Sequence, residues 1–191
     1  PSIEAATNEL AHLSPSIRCF YDINLREGQW NFPLVQRLCQ IASVLKLNES
    51  EAKTLSGLSG TPSEEFSLEK FCPRWASAYG LDVICVTLGE AGCYVYDKGS
   101  VVMAPGYPVD VCDTVGAGDA FAAAFLHGYH HGWPMLKTAG FANAAGAVVA
   151  SRAGATPDWS VDECLEICQS RPSPRFSSPC PSVSSRCCTG C

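Results

Sequence analysis

The segment Asp82-Val83-Ile84-Cys85-Val86-Thr87 shows no alternation of apolar and polar positions. A strand with one wet face alternates with a period of two, whereas a strand apolar on both faces must be covered on both. This run therefore asks for a sheet sandwiched between helices.

The flanking sequence supplies them. Phe32 to Ile41 reads as a helix with Pro33 in its first turn, where a missing N–H is tolerated. Ala42 to Leu47 reads as a strand. Asn48 is a natural N-cap for the helix that follows and stops at Gly57. Upstream, Ile3, Ala6, Leu10 and Leu13 share one helical face, and Ile17 to Tyr21 forms a short strand. Glu64 to Tyr79 is helical, broken or kinked near Pro73. Cys93 to Asp97 and Ser100 to Met103 make a hairpin around Lys98-Gly99. Two alanine- and glycine-rich helices, Gly118 to His131 and Pro134 to Ser151, come next, and Ser160 caps a last one to Cys168. Strands alternating with helices predict an α/β fold with a mostly parallel sheet and helices on its faces.

One domain is expected over residues 1–169. From Ser170 the chain turns to Ser, Pro, Arg and Cys without an acidic residue. Such sequence cannot bury enough surface to order itself, so residues 170–191 are expected to be disordered or foreign to the domain. The net charge of −6 argues against a nucleic-acid surface. No charged-then-apolar leader opens the chain, and the longest apolar stretch, Thr138 to Ala150, falls short of the roughly 20 residues a membrane span needs. Of 12 cysteines, Cys19, Cys39, Cys85, Cys93 and Cys112 lie singly in apolar runs, while Cys180, Cys187, Cys188 and Cys191 crowd the tail. That placement predicts reduced thiols and a cytoplasmic protein rather than a disulfide framework.

The chemistry concentrates at Asp113-Thr114-Val115-Gly116-Ala117-Gly118-Asp119, which runs directly into a helix. Unpaired N–H groups at a helix start carry partial positive charge, and glycines let an anion approach them. Asp119 falls in the first turn. An anion-collecting loop beside a carboxylate base suits transfer of phosphate to a hydroxyl. The plain alternative is an aspartate that stabilises its helix. In parallel sheets ligands bind beyond the C-terminal strand ends. Asn24/Arg26, Asn48/Glu51, Thr87/Gly89 and Gly116/Asp119 all follow strands, which gathers four polar clusters at one edge. Each has a structural alternative: a salt-bridged loop, an N-cap with a first-turn acid, or a tight turn into a hairpin. The G-x-G-x-x-G and Walker A patterns are absent.

These clusters resemble the ribokinase-like (pfkB) family of carbohydrate kinases. Asp113 to Asp119 matches its D-T-x-G-A-G-D signature, Asn48-Glu49-Ser50-Glu51 its N-x-x-E motif, and Thr87 to Gly92 its nucleotide-site turn. Asp22-Ile23-Asn24-Leu25-Arg26 with Trp30 looks like the D-x-N-x-R…W run of fructokinase-like and 2-keto-3-deoxygluconate kinase-like members. The resemblance implies a ribokinase-like three-layer αβα fold of which the N-terminal half and lid are absent. It implies ATP and Mg²⁺ as cofactors and a small sugar or sugar acid as substrate, with fructose and 2-keto-3-deoxygluconate both open. Asp119 becomes the general base, with Gly116, Ala117 and Gly118 the anion hole. Asn48 and Glu51 hold Mg²⁺ and phosphate through water, and Asn24 and Arg26 meet phosphate or an anionic substrate group. Thr87, Gly89, Gly92, Thr114 and Asn143 border the nucleotide. Asp113 and the loop Arg152 to Thr156 line a site for a monovalent cation, K⁺. In the family it resembles, members often dimerise through the lid, so the resemblance leaves a homodimer open for a full-length parent.

Two other function classes compete with the kinase reading. One is a nucleotide-binding fragment without catalysis. The other is a cysteine-rich metal protein, to which Cys188-Thr189-Gly190-Cys191 points weakly. His127, His130 and His131 read as an exposed helix end rather than a metal cluster.

Overall fold

The computed structural model describes residues 17–169 together with Ala5 and Glu9. The helix expected over residues 2–13, apart from those two helical positions, and the tail from residue 170 lie outside the described residues. Five strands, β1 (Phe20–Asp22), β2 (Val44–Asn48), β3 (Val83–Thr87), β4 (Cys93–Asp97) and β5 (Ser100–Ala104), lie side by side in chain order. β1, β2 and β3 pair in parallel, and β4 is antiparallel to both its neighbours, so four of the five point one way. The hairpin turns at Lys98 and Gly99, with φ of 46° and 95°. Two positive φ values mark a turn whose twist matches that of the flanking strands.

Helices cover both faces. α1 (Phe32–Ile41), α2 (Glu49–Leu58) and α3 (Leu68–Tyr79) contribute Val35, Leu55, Phe71 and Trp75 to one core, where they meet Leu45, Leu47, Ile84, Val86 and Tyr94. α4 (Ala117–His130), α5 (Met135–Ala150) and α6 (Val161–Gln169) contribute Phe121, Phe125, Phe141 and Cys164 to the other, against Val44, Val83, Cys85, Cys93 and Val95. β2 and β3 thus send alternate residues into two separate cores, which is why neither shows a polar period. Among the described residues no helix is long and apolar enough to cross a membrane.

Three local expectations are corrected. β1 runs Phe20–Asp22 rather than Ile17 to Tyr21, because Ile17 is exposed and only Phe20, Tyr21 and Asp22 pair with β2. The expected break near Pro73 lies earlier: Ser63–Glu65 is a short 3-10 turn, Phe66 and Ser67 are extended, and α3 then runs through Pro73. The ring removes one helical hydrogen bond, but Cys72, Trp75 and Ala76 on either side are buried and hold the turn in place. Cys112 is exposed rather than part of an apolar core.

Candidate active site

The loop after β5 enters α4 through Gly116, whose φ of 82° is left-handed. A Cβ there would stand 1.9 Å from the Ala155 carbonyl oxygen, so this position admits only glycine. Asp113 fixes the approach. One carboxylate oxygen accepts from Val115 N–H at 3.0 Å and the other from Gly154 N–H at 3.1 Å, tying the entry loop to the loop after α5. The Ala117 N–H reaches Thr114 O at 3.3 Å. No side chain caps α4, and the N–H groups of Gly118 and Asp119 have no acceptor among the described residues. The Asp119 side chain is exposed, with no hydrogen bond or ion pair among the described residues.

The neighbouring helix start is built differently. Asn48 Oδ1 accepts from Glu51 N–H at 2.9 Å while Glu51 Oε2 accepts from Asn48 N–H at 2.8 Å, a reciprocal capping box. The second Glu51 oxygen accepts from Leu25 N–H at 2.9 Å and so pins the loop after β1. Asn24, one residue earlier, has φ of 46°, a conformation asparagine tolerates better than most residues. Asn24 and Arg26 are exposed at the edge. Below them Lys46 Nζ contacts Asp22 Oδ2 at 2.7 Å. Burial, with Cys39, Glu51 and Asp22 nearby, pushes the adjacent Tyr21 hydroxyl up to about 12, so it stays protonated.

Beside the α4 start lies a cavity of about 630 Å³, within the range of small-ligand sites. Thr87, Gly89, Gly92, Thr114, Ala117, Gly118 and Asn143, all singled out from sequence, line it. Gly92 has φ of 101°, and a Cβ there would lie 2.1 Å from Ala104 O, so the turn after β3 packs backbone to backbone on the end of β5. Asn143 is buried, and its amide nitrogen donates to Ala104 O at 2.8 Å and Pro105 O at 3.3 Å. It therefore anchors the rim and keeps its carbonyl oxygen for other use.

Asn24, Arg26, Asn48, Glu51, Asp113, Gly116 and Asp119 lie outside the cavity lining. Sequence reasoning missed Tyr107, Phe121, Gly146, Ala147 and Ala150, which supply much of the wall. The small residues on one face of α5 were the available signal. It also passed over Lys46, although a lysine inside an apolar central strand is rarely buried without a partner. The rings of His127 and His131 lie 4.3 Å apart at a tilt of 34°, and His131 Nδ1 lies 2.8 Å from His127 O. Among the described residues no group of three or more His, Cys, Asp or Glu can hold a metal ion. The C-x-x-C pair lies outside the described residues.

A model of the pfkB family carbohydrate kinases matches residues 1–162. The protein named "Probable fructokinase-2" of Arabidopsis thaliana is 32% identical over 154 residues, which cover 74% of this chain and 45% of that protein. The structure of ribokinase from Thermotoga maritima aligns with a TM-score of 0.69 at 25% identity, over 84% of this chain and 52% of its own. That of fructokinase from Xylella fastidiosa with bound ATP aligns with a TM-score of 0.72 at 19% identity, over 87% and 55%. The fold is therefore ribokinase-like, and the chain spans about half the length of the relatives it matches.

Proposed function

The chain belongs to the pfkB family of carbohydrate kinases, and we propose that its reaction is transfer of the γ-phosphate of ATP to a hydroxyl of a small sugar or sugar acid. One observation carries this reading. Of the carboxylates at the strand-end edge, Asp22 is paired with Lys46, while Glu51 and Asp113 accept from backbone N–H groups. Asp119 and, on the cavity wall, Glu90 are unengaged among the described residues, and only Asp119 stands in the first turn of the helix where the N–H groups of Gly118 and Asp119 are open.

In this reading ATP occupies the cavity with its phosphates directed at the α4 start. Asp119 takes the proton from the acceptor hydroxyl as that oxygen attacks the γ-phosphorus. The N–H groups of Gly118 and Asp119 face the charge that spreads over the transferring group, where this chemistry gains most. Arg26, exposed beside the edge, is assigned to phosphate or to an anionic group of the acceptor. Mg²⁺, when bound, neutralises phosphate charge. Asn48 and Glu51 would hold its water shell. Both Glu51 oxygens already accept from backbone, which suits contact through water rather than direct ligation. A K⁺ ion is assigned to the loops that Asp113 joins, with no step in the chemistry.

A second reading, nucleotide binding without turnover, is favoured by the cavity itself, whose wall lies wholly between Thr87 and Ala150. We further propose a cytoplasmic protein, since all eight described cysteines are free thiols, and a homodimer for a full-length parent. The test is calorimetric titration with ATP alongside ADP release in the presence of fructose or 2-keto-3-deoxygluconate. Sugar-dependent ADP release supports transfer. ATP binding without it selects the second reading, and absence of both sinks each.

A further inference from the structure

Lys46 interrupts the apolar core of β2, the strand flanked by β1 and β3. Its side chain is 8% exposed and shares the parity of Val44, so it points to the α4 and α5 face. A buried ammonium requires a compensating charge. Asp22 Oδ2 supplies one at 2.7 Å. Cys85, its neighbour in register on β3, offers none, because burial pushes that thiol well above its ordinary range and keeps it neutral.

The lysine also reaches the other way. A Cβ built on Gly118 would lie 3.9 Å from Nζ, so the ammonium sits beneath the first turn of α4. Glycine at 118 leaves no side chain between them. The open N–H groups of that turn are themselves a positive pole, and a cation facing a helix N-terminus is unfavourable. Asp22 compensates the lysine but leaves the helix start unmatched. An anion on the α4 turn would feel both positive sources at once, through a medium less polar than water.

We propose that Lys46 is a positioning residue for phosphate: its charge beneath the α4 turn, partly offset by Asp22, stabilises the terminal phosphate of bound ATP and the charge that grows on it during transfer. This rests on the phosphoryl-transfer reading. The ammonium acts through its field rather than by taking or giving a proton.

The experiment titrates the full chain with ATP, ADP and adenosine. Lys46→Met removes the charge and keeps most of the aliphatic stem. ATP affinity is expected to fall about tenfold, ADP affinity less, and adenosine affinity not at all. Lys46→Arg should restore the preference for ATP over adenosine. Asp22→Asn breaks the same ion pair but removes a negative charge, so ATP should bind more tightly. A purely structural pair predicts the same direction for Lys46→Met and Asp22→Asn and equal losses for all three ligands, and that result overturns the proposal. Should Lys46→Met not fold, Asp22→Asn decides: tighter ATP binding supports the proposal, and unchanged or weaker binding rejects it. A wild-type chain that binds no ATP removes the phosphoryl-transfer reading itself. A wild-type chain that binds ATP, with Lys46→Met equal to it, removes only the role of Lys46.

Discussion

Two helices start at the same edge of the sheet, and their first turns are opposites. α2 closes on itself: Asn48 and Glu51 exchange hydrogen bonds, and the remaining Glu51 oxygen reaches Leu25. α4 begins at a left-handed glycine with no side-chain cap and leaves the N–H groups of Gly118 and Asp119 open. A helix normally satisfies these donors with its own side chains or with water. The self-capped start does structural work, joining β2 to the loop after β1. The open start has nothing of its own to hold, and its partner is expected to be a ligand.

The contrast breaks most visibly at Asp119. Asp119→Asn should lower sugar-dependent ADP release by roughly 10²–10⁴-fold, the range for losing a general base. Stability should change by less than about 1 kcal/mol, since a first-turn acid gives its helix little more than that. Turnover within a few-fold of wild type would return Asp119 to a helix-stabilising role. Gly116→Ala attacks the same start through its backbone. The left-handed φ and the Ala155 carbonyl both oppose a side chain, so a loss of about 2 kcal/mol or more is expected in denaturant unfolding.

Asn48→Ala probes the closed start. It should cost about 1 kcal/mol of stability, and the loss should be present with no nucleotide added. Equal apo stability for this variant and wild type would mean that α2 is not held by its cap. The smallest effect belongs to α6, a third terminus. Glu163 accepts from Ser160 N–H at 2.7 Å and pairs with Arg152. The Arg152 hydrogen bond, followed by those from Ser160, holds the Glu163 carboxyl below its ordinary value. Its stabilisation is therefore present above the ordinary glutamate range and is lost as pH falls through the lower folded value. Amide protection factors at Arg152 and Cys164, taken relative to intrinsic exchange at each pH, should fall slightly on acidification and stay flat in Glu163→Gln.

The sandwich was legible from Val83 to Val86 alone, because a strand without a polar period has few alternative settings. The α4 turn was legible because two glycines and an acid before an alanine-rich helix have a direct physical meaning. β1 was placed too early because Ile17 and Cys19 look like strand residues, and only the register with β2 shows where pairing begins. Pro73 was misread because local sequence carries the penalty of the ring but not the burial of Trp75 and Ala76 that outweighs it. The reach of Lys46 to Gly118 depends on a contact between segments far apart in sequence, and the cavity wall at Phe121 and Ala147 on how two helices pack, which no local pattern carries.

The cavity wall comes from one continuous stretch, Thr87 to Ala150, in a sheet whose strands are laid down in chain order. Closing a pocket within one such stretch carries less loop-closure entropy than recruiting distant segments. Asn24 and Arg26, on the β1 side, contribute nothing to that wall. Under the proposed function, nucleotide capture would rest on one segment of the chain and acceptor contacts from Asn24 and Arg26 on another.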